Sequence, residues 1–425
     1  MGVDLRSYQD SLDFLYARTT GAWKFGLERV GAFLDLLGNP HRDLRVLHVA
    51  GTNGKGSVCA GLEAVLRAQG LKVGKYTSPH LVDFRERFLV NGAPVAPEQI
   101  VAFVDQWTPE VERLGATFFE ATTAMAFDFF RSAEVDVAVI ETGLGGRLDA
   151  TNVVTPLVAG VTNIGIDHVE YLGDTREQIA VEKAGIFKPG VAAVIGEPEA
   201  VVREQLRRLA TERGAVPVHE VYADGGPTEV RVDASGTVFR FEGSEWHTPL
   251  VGAHQAANGA MALAMLGALP LAMRPTPVLA SAGLERTVLP GRFQRVGKYL
   301  FDVAHNPGGA EVLVAAMRAV KPASPVVAVL SVLNDKDWRA IMEMLAPVVD
   351  EFVLTVAPTS PASRTWNLPD PLGFARSRGW RAEVLRDFDR ALVRAAERGA
   401  TVLITGSFHT VGDAMARLEV FPTVG

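Results

Sequence analysis

The chain has 425 residues, with 42 Lys and Arg against 49 Asp and Glu, a formal net charge of −7, and 48% hydrophobic against 21% charged residues. That length exceeds one ordinary core and predicts two or three domains. The acidic balance, with no dense basic block, argues against a nucleic-acid partner. No stretch approaches the roughly 18 consecutive apolar residues of a membrane span, and the single cysteine, Cys59, permits no intrachain disulfide, which fits a cytoplasmic protein.

In chain order, "MGVDLRSYQDSLDFLY" (1–16) predicts a polar amphipathic helix with acids in it, unlike a signal or transit peptide. "RVLHVA" (45–50) has the valines and apolar run of a buried parallel strand. "SVCAGLEAVLRAQG" (57–70) follows as a helix with a glycine stop. Lys72–Ser78 predicts a strand, 79–95 a polar loop, and Pro97–Leu114 and Glu120–Ser132 two helices. Val135–Glu141 and Leu157–Ile164 are buried-strand runs, each leading into a polar, glycine-bearing loop. Thr175 caps a helix over "REQIAVEKAGIF", and "VAAVIGE" (191–197) is the next strand. Val230–Glu242 alternates about a central turn, as an antiparallel hairpin does.

A second βαβ series begins near Tyr299. Strands over "KYLFDVAH", "SPVVAVLSVL", "EFVLTVAP" and "ATVLITG" alternate with helices at 307–320, from Trp338, near Ala391 and after His409. The expected fold class is therefore α/β, with a large first domain on a mostly parallel sheet and a smaller doubly wound second one. Pro290-Gly291 marks the change, and the division is placed at 1–286 and 287–425.

The loop "HVAGTNGKGS" (48–57) sits between the first strand and its helix. It breaks the G-x-x-x-x-G-K-[ST] phosphate-loop template, because Val49 stands at the first glycine and Gly56 separates Lys55 from Ser57. Its context still suits an anion: a glycine turn aims backbone N–H groups and a helix N-terminus at one point. Lys55 adds a charge, and Ser57 or Thr52 a hydroxyl for magnesium. The alternative is a tight turn with an exposed lysine.

Further polar side chains cluster at strand ends, where ligands of such sheets bind. Glu141 opens "ETGLGGRLDATN", as a magnesium ligand or as a turn-stabilising acid. Asp167 and His168 follow the next strand; imidazole is an unusual ligand for magnesium, so His168 reads as structural on its own. Glu182 and Lys183 read as a solvent-exposed charged pair late in a helix. In the second series Arg292, Asp302, His305 and Ser407 lie at strand ends or helix starts.

The segments "AGTNGKGS", "TSPHL…RERFLVNG", "ETGLGGRLDATN", "DHVEYLGDTREQIAVEKAGIFKPG", "LPGRFQ", "DVAHNP" and "GSFHTVGDA" occur in this order over nearly the whole chain. Together they resemble the folylpolyglutamate synthase/dihydrofolate synthase family, a branch of the Mur-ligase superfamily of ATP-dependent amide-bond ligases. That resemblance implies a phosphate-loop ATPase domain with a smaller Rossmann-like C-terminal domain. It implies ATP contacts from Gly51, Thr52, Asn53, Gly54, Lys55, Gly56 and Ser57, and from Asn258, Arg292 and Asp302. It makes Ser57, Glu141 and His168 ligands of Mg2+, reversing the residue-level reading of His168, and makes Lys183 an N-carboxylated lysine. Lys55, Lys183 and His168 become the catalytic set. Ser78, Pro79, His80 and Asp149 fall on the folate side, His305 and Ser407 on the incoming glutamate.

The chemistry implied is transfer of the ATP γ-phosphate to a folate carboxylate, then attack of the L-glutamate amine on the acyl phosphate. The expected substrates are ATP, L-glutamate and a reduced folate, together with dihydropteroate if the enzyme is bifunctional. A monovalent cation such as K+ and a monomeric state are expected with them. Rival readings are a Mur-type ligase acting on another carboxylate, a kinase, and a nucleotide-binding scaffold.

Overall fold

The computed structural model describes residues 7–19 and 26–420, so the first six residues of the expected N-terminal helix lie outside it. Contacts group the chain into two compact units: 1–78, 84–228 and 257–287 in one, and 79–83, 229–256 and 288–425 in the other.

The first unit begins with α1 (Tyr8–Tyr16), whose cap is reciprocal: Ser7 accepts from the Asp10 N–H and Asp10 accepts from the Ser7 N–H. After α2 (Glu28–Leu36) come β1 (Val46–Ala50), α3 (Lys55–Ala68) and β2 (Val73–Tyr76). The segment expected as a polar loop instead forms β3 (Phe88–Val90) and β4 (Ala93–Pro94). They pair antiparallel across Asn91-Gly92, both at positive φ, which is the two-residue turn that matches strand twist. Helices α4 (Pro97–Leu114) and α5 (Phe118–Ser132) follow, the second held by a Thr117–Glu120 capping box. Next are β5 (Val137–Glu141), β6 (Val158–Val161), α6 (Val169–Leu172), α7 (Arg176–Lys183), β7 (Ala192–Ile195), α8 (Ala200–Glu212) and β8 (Val218–Glu220). Thr175 caps α7 by accepting from the Gln178 N–H.

The sheet order is β4-β3-β2-β5-β1-β6-β7-β8, antiparallel only at β2–β3 and β3–β4. β1 runs parallel between β5 and β6, and every residue of β1, β2, β5, β6 and β7 is buried, as near-continuous apolar runs require. One core joins Leu15, Phe33, Tyr76, Phe127 and Phe130 from the early helices and β2. Another gathers Ala50, Val161, Ile179, Ile195 and Leu206 around α7 and α8.

The expected hairpin has a third strand. β9 (Thr228–Asp233), β10 (Gly236–Phe241) and β11 (Ser244–Thr248) make a separate sheet, with Glu242-Gly243 as a second positive-φ turn. Then α9 (Ala253–Gly267) and α10 (Pro277–Leu284) follow, and α10 packs closely on α3.

The second unit's sheet is built from β12 (Gln294–Val296), β13 (Tyr299–Phe301), α11 (Pro307–Val320), β14 (Val326–Leu330), α12 (Trp338–Leu345), β15 (Glu351–Leu354), α13 (Pro369–Ser377), β16 (Ala382–Val384), α14 (Phe388–Arg398), β17 (Thr401–Thr405) and α15 (Phe408–Arg417). Its order is β12-β13-β17-β14-β15-β16, with only β12 antiparallel. The sequence pattern had left α13 and β16 undrawn. Among the described residues no helix is long and apolar enough to cross a membrane.

Behind the β1–α3 turn, Glu63 of α3 and Lys75 of β2 form a buried ion pair, each side chain 7% exposed. Removing one partner strands the other charge, at about 3–5 kcal/mol, whereas an apolar pair of similar volume is close to neutral. Urea unfolding should show Lys75→Met losing stability of that order and Glu63→Leu/Lys75→Met regaining most of it. Equal midpoints for the single and double variants would contradict this account.

Candidate active site

The first unit concentrates its polar groups at the carboxyl end of β1. Gly51 has φ +149°, and a Cβ there would collide with Thr162 Oγ1, so only glycine fits. Helix α3 starts at Lys55, two residues earlier than the apolar pattern suggested, with Gly54 as its cap and no side-chain acceptor there. Its first N–H groups therefore face the turn. Lys55 Nζ folds back over the loop, donating to the Gly51 carbonyl at 3.1 Å and the Thr52 carbonyl at 3.3 Å, and lies 4.0 Å from Glu141 Oε1.

The loop after β6 holds the turn in shape. Asn163 Oδ1 accepts from the Asn53 N–H at 3.0 Å, and Asn163 Nδ2 donates to the Asn53 carbonyl at 3.1 Å. Thr162 Oγ1 donates to the same carbonyl at 2.7 Å. Thr52 donates its N–H to the Asn163 carbonyl and exchanges hydroxyl bonds with Gly165. Ser57, in the first turn of α3, is buried, and Asn258 of α9 is buried against Gly54.

Lys183 is not the exposed member of a pair that its sequence context suggested. It is 4% exposed, and its Nζ donates to the Gly51 carbonyl at 2.8 Å. Its neighbour Glu182 points elsewhere, to Arg147 at 2.9 Å, because successive helical side chains diverge by about 100°. The glycine loop after β5 makes this possible: a Cβ on Gly146 would come within 2.8 Å of the Lys183 carbonyl oxygen. Burial, reinforced by the Lys55 charge and opposed by Asp167 and Asp149, lowers the Lys183 ammonium to about 7.

Glu141 is buried and accepts from the Ser78 N–H at 3.2 Å. Asp149 is enclosed too. One of its oxygens accepts from the Thr151 N–H and hydroxyl, the other from the N–H groups of Gly143 and Leu144 at 2.8 Å each. His168 differs: its side chain is 47% exposed, its φ is +53°, and Nε2 lies 3.9 Å from Asp167 Oδ2. Among the described residues, no group of three or more His, Cys, Asp and Glu side chains is arranged to hold a metal. The Ser57 hydroxyl and Glu141 carboxylate are hard oxygen donors of the kind magnesium takes alongside phosphate and water.

Pro79, His80, Arg292, Asp302, His305 and Ser407 belong to the second unit. Arg292 stacks its guanidinium 5.1 Å from the Phe408 ring, and the His305 ring is 5.6 Å from that same ring. Asp302 is half-buried and accepts from the Phe293 and Ala304 N–H groups at 2.9 Å each. Burial raises its carboxyl, while Arg292 and those two donors pull it back. Ser407 caps α15, accepting from the Thr410 N–H at 3.0 Å.

Sequence patterns did not single out Thr162 and Asn163, which clamp the loop, nor His48 and Thr151 behind it, nor Phe408 and His254. His254 is held near 4 by burial and by the Arg292 charge. The strand run Leu157–Ile164 contained the first pair; the others gave no local signal, since they are a strand histidine, a turn threonine, a helix aromatic and a helix histidine.

Two family models match the chain: "Mur ligase middle domain" over residues 49–266 and "Mur ligase, glutamate ligase domain" over residues 291–408. The dihydrofolate synthase/folylpolyglutamate synthase of Escherichia coli K12 is 37% identical over 422 residues, 98% of this chain and 96% of that one. The solved folylpolyglutamate synthase of Mycobacterium tuberculosis, complexed with ADP, superposes with a TM-score of 0.89 at 34% identity, covering 98% of this chain and all of that one. A bifunctional folylpolyglutamate synthase/dihydrofolate synthase solved with Mn, AMPPNP and L-glutamate bound gives 0.81 at 33% identity, covering 96% and 98%.

The lowered Lys183 has a stability signature. Between about pH 7 and its ordinary 10.5, the unfolded chain binds a proton there that the folded chain does not, so this group adds stability as pH rises. Below pH 7 that contribution is gone, because the buried amine is then charged. The difference in unfolding free energy between the parent chain and Lys183→Met should therefore shift in the parent's favour from pH 7 to 9.5. A difference independent of pH would rule out the shift.

Proposed function

The chain belongs to the dihydrofolate synthase/folylpolyglutamate synthase family of Mur ligases, and on that footing we propose that it attaches L-glutamate to reduced folates and to dihydropteroate at the expense of ATP. It is an ATP-dependent ligase. The observation that carries the reading is the meeting of Lys55 and Lys183 on the one carbonyl of Gly51, at a glycine turn between a buried strand and a helix N-terminus.

In this reading Gly51–Ser57 and Asn258 hold ATP, with Arg292 and Asp302 contributing. The N–H groups opening α3 and the Lys55 ammonium take up charge on the phosphates as the γ-phosphoryl group leaves ADP for a folate carboxylate. The bond made is carboxylate oxygen to phosphorus, and the bond broken is the β–γ bridge. The glutamate amine then adds to the acyl carbon, and inorganic phosphate departs. Positioning and charge neutralisation supply the catalysis, with no covalent protein nucleophile.

Ser57, Glu141 and His168 are the residues we propose for Mg2+, which when bound supplies positive charge beside the phosphates. A monovalent cation such as K+ is part of the same proposal. Ser78, Pro79, His80 and Asp149 are assigned to the folate side, Asp149 through the loop its carboxylate organises, and His305 and Ser407 to the incoming glutamate. Lys183, lowered to about 7 and so in large part a free amine at neutral pH, is suited to N-carboxylation, because only the free amine adds to carbon dioxide. We further propose a division of labour at 286/287, a monomeric state and a cytoplasmic location.

Dihydropteroate and tetrahydrofolate, offered separately with ATP, magnesium and L-glutamate, should each yield a product heavier by one glutamyl residue in mass spectrometry. ATP consumption indifferent to glutamate would favour a kinase instead. In the same assay Lys55→Ala should stay folded and lose on the order of 10²–10³-fold in turnover, the scale of removing one preorganised charge stabiliser; near-parental turnover would remove Lys55 from the phosphate cradle. Lys183→Ala should lose activity that short carboxylic acids restore in part, and indifference to the substitution would dismiss the carbamate.

A further inference from the structure

His48 is among the buried polar side chains that the roles above leave unused. His48 sits in the middle of β1, three residues before Gly51, and is fully enclosed. Its Nε2 is 2.8 Å from Thr151 Oγ1. The Thr151 hydroxyl has a single proton, and it goes to Asp149 Oδ1. Within that bond His48 must therefore be the donor, with its proton on Nε2. Burial, with the Lys188 charge acting in the same direction, holds the imidazole near 3, so it stays neutral at working pH.

The chain of donors continues. Asp149 Oδ1 also accepts from the Thr151 N–H at 3.0 Å, and Oδ2 accepts from Gly143 and Leu144. Gly143 and Leu144 lie just beyond Thr142 and the end of β5 at Glu141. Three side chains thus connect the strand under the phosphate loop to the glycine loop that seats Lys183. Both oxygens of the carboxylate are occupied, so its rotation is set by its donors.

We propose that His48 is a positioning residue of the ligase: its Nε2–H, relayed through Thr151, orients the Asp149 carboxylate and locks the 143–151 loop in register with the phosphate loop. Asp149 faces Lys183 electrostatically, so the register also sets the field at that amine. The kinetic consequence rests on the ligase reading above; the wiring itself does not.

The test uses the full chain. Long-range 1H–15N spectra of histidine-labelled protein should show His48 protonated on Nε2 and bare on Nδ1, unchanged from about pH 6 to about pH 9. His48→Leu, which deletes the donor, should speed hydrogen exchange in segment 143–151 by about tenfold or more. It should also lower kcat by about tenfold while moving KM for ATP less than about twofold. His48→Gln, whose amide N–H reaches to a similar point, should restore both readouts.

A proton on Nδ1, unaltered exchange in His48→Leu, or a folded His48→Gln as impaired as His48→Leu would each overturn the proposal. If His48→Leu does not fold, Thr151→Ser against Thr151→Val reads the same relay: serine should exchange as the parent does and valine faster, and equal exchange overturns it. If the parent chain attaches no glutamate, the ligase reading falls, while the spectra and the exchange still decide the relay.

Discussion

Two ammonium groups share one carbonyl oxygen, that of Gly51, and the geometry of the first unit follows from accommodating them. Lys55 arrives from the helix that the turn initiates, and Lys183 from the end of a helix well over a hundred residues later. The oxygen can face both only because Gly51 holds a backbone angle closed to residues with a Cβ, and because Thr162 fills the space where that Cβ would lie. Burial first, and then the charge of Lys55, lower the Lys183 ammonium.

The chain as a whole is acidic, with 49 acidic residues against 42 basic ones, yet its candidate site presents cations. The carboxylates nearby are held largely by other donors, although Glu141 also stands 4.0 Å from Lys55. Glu141 accepts from Ser78, Asp149 from its own loop, Glu182 from Arg147 and Glu63 from Lys75. In the second unit Arg292 is likewise kept against an aromatic ring while the Asp302 oxygens take backbone N–H groups. Positive potential survives in a negative protein by satisfying the nearby acids with other donors.

Most of the fold was legible because parallel strands buried on both faces leave apolar runs with polar loops at their ends. Helix 97–114 and helix 307–320 match the patterned residues at both ends. What went undrawn was short or antiparallel, with the helices α2, α8 and α13 beside it. The β3–β4 pair lay inside a segment dominated by Arg85, Glu86 and Arg87, although "VNGA" carried a hairpin turn in plain view. The site divides in a similar way. Glycines, Lys55 and Glu141 announce themselves by standing at a strand end. Lys183 does not, since a helix position beside Glu182 looks exposed until the glycine loop closes over it. His48 lies on a strand whose apolar neighbours hide it, and its partner Thr151 is remote in sequence.

The clamp of Asn163 and Thr162 on Asn53 has a consequence for the rhythm of turnover. Both polar groups of the Asn53 backbone are bonded before any nucleotide arrives. Binding therefore need not freeze a wandering loop, and the entropy of ordering it is met once, when the chain folds. When a spent nucleotide departs, the cradle keeps its shape. A further cycle can then begin on a cradle already in shape.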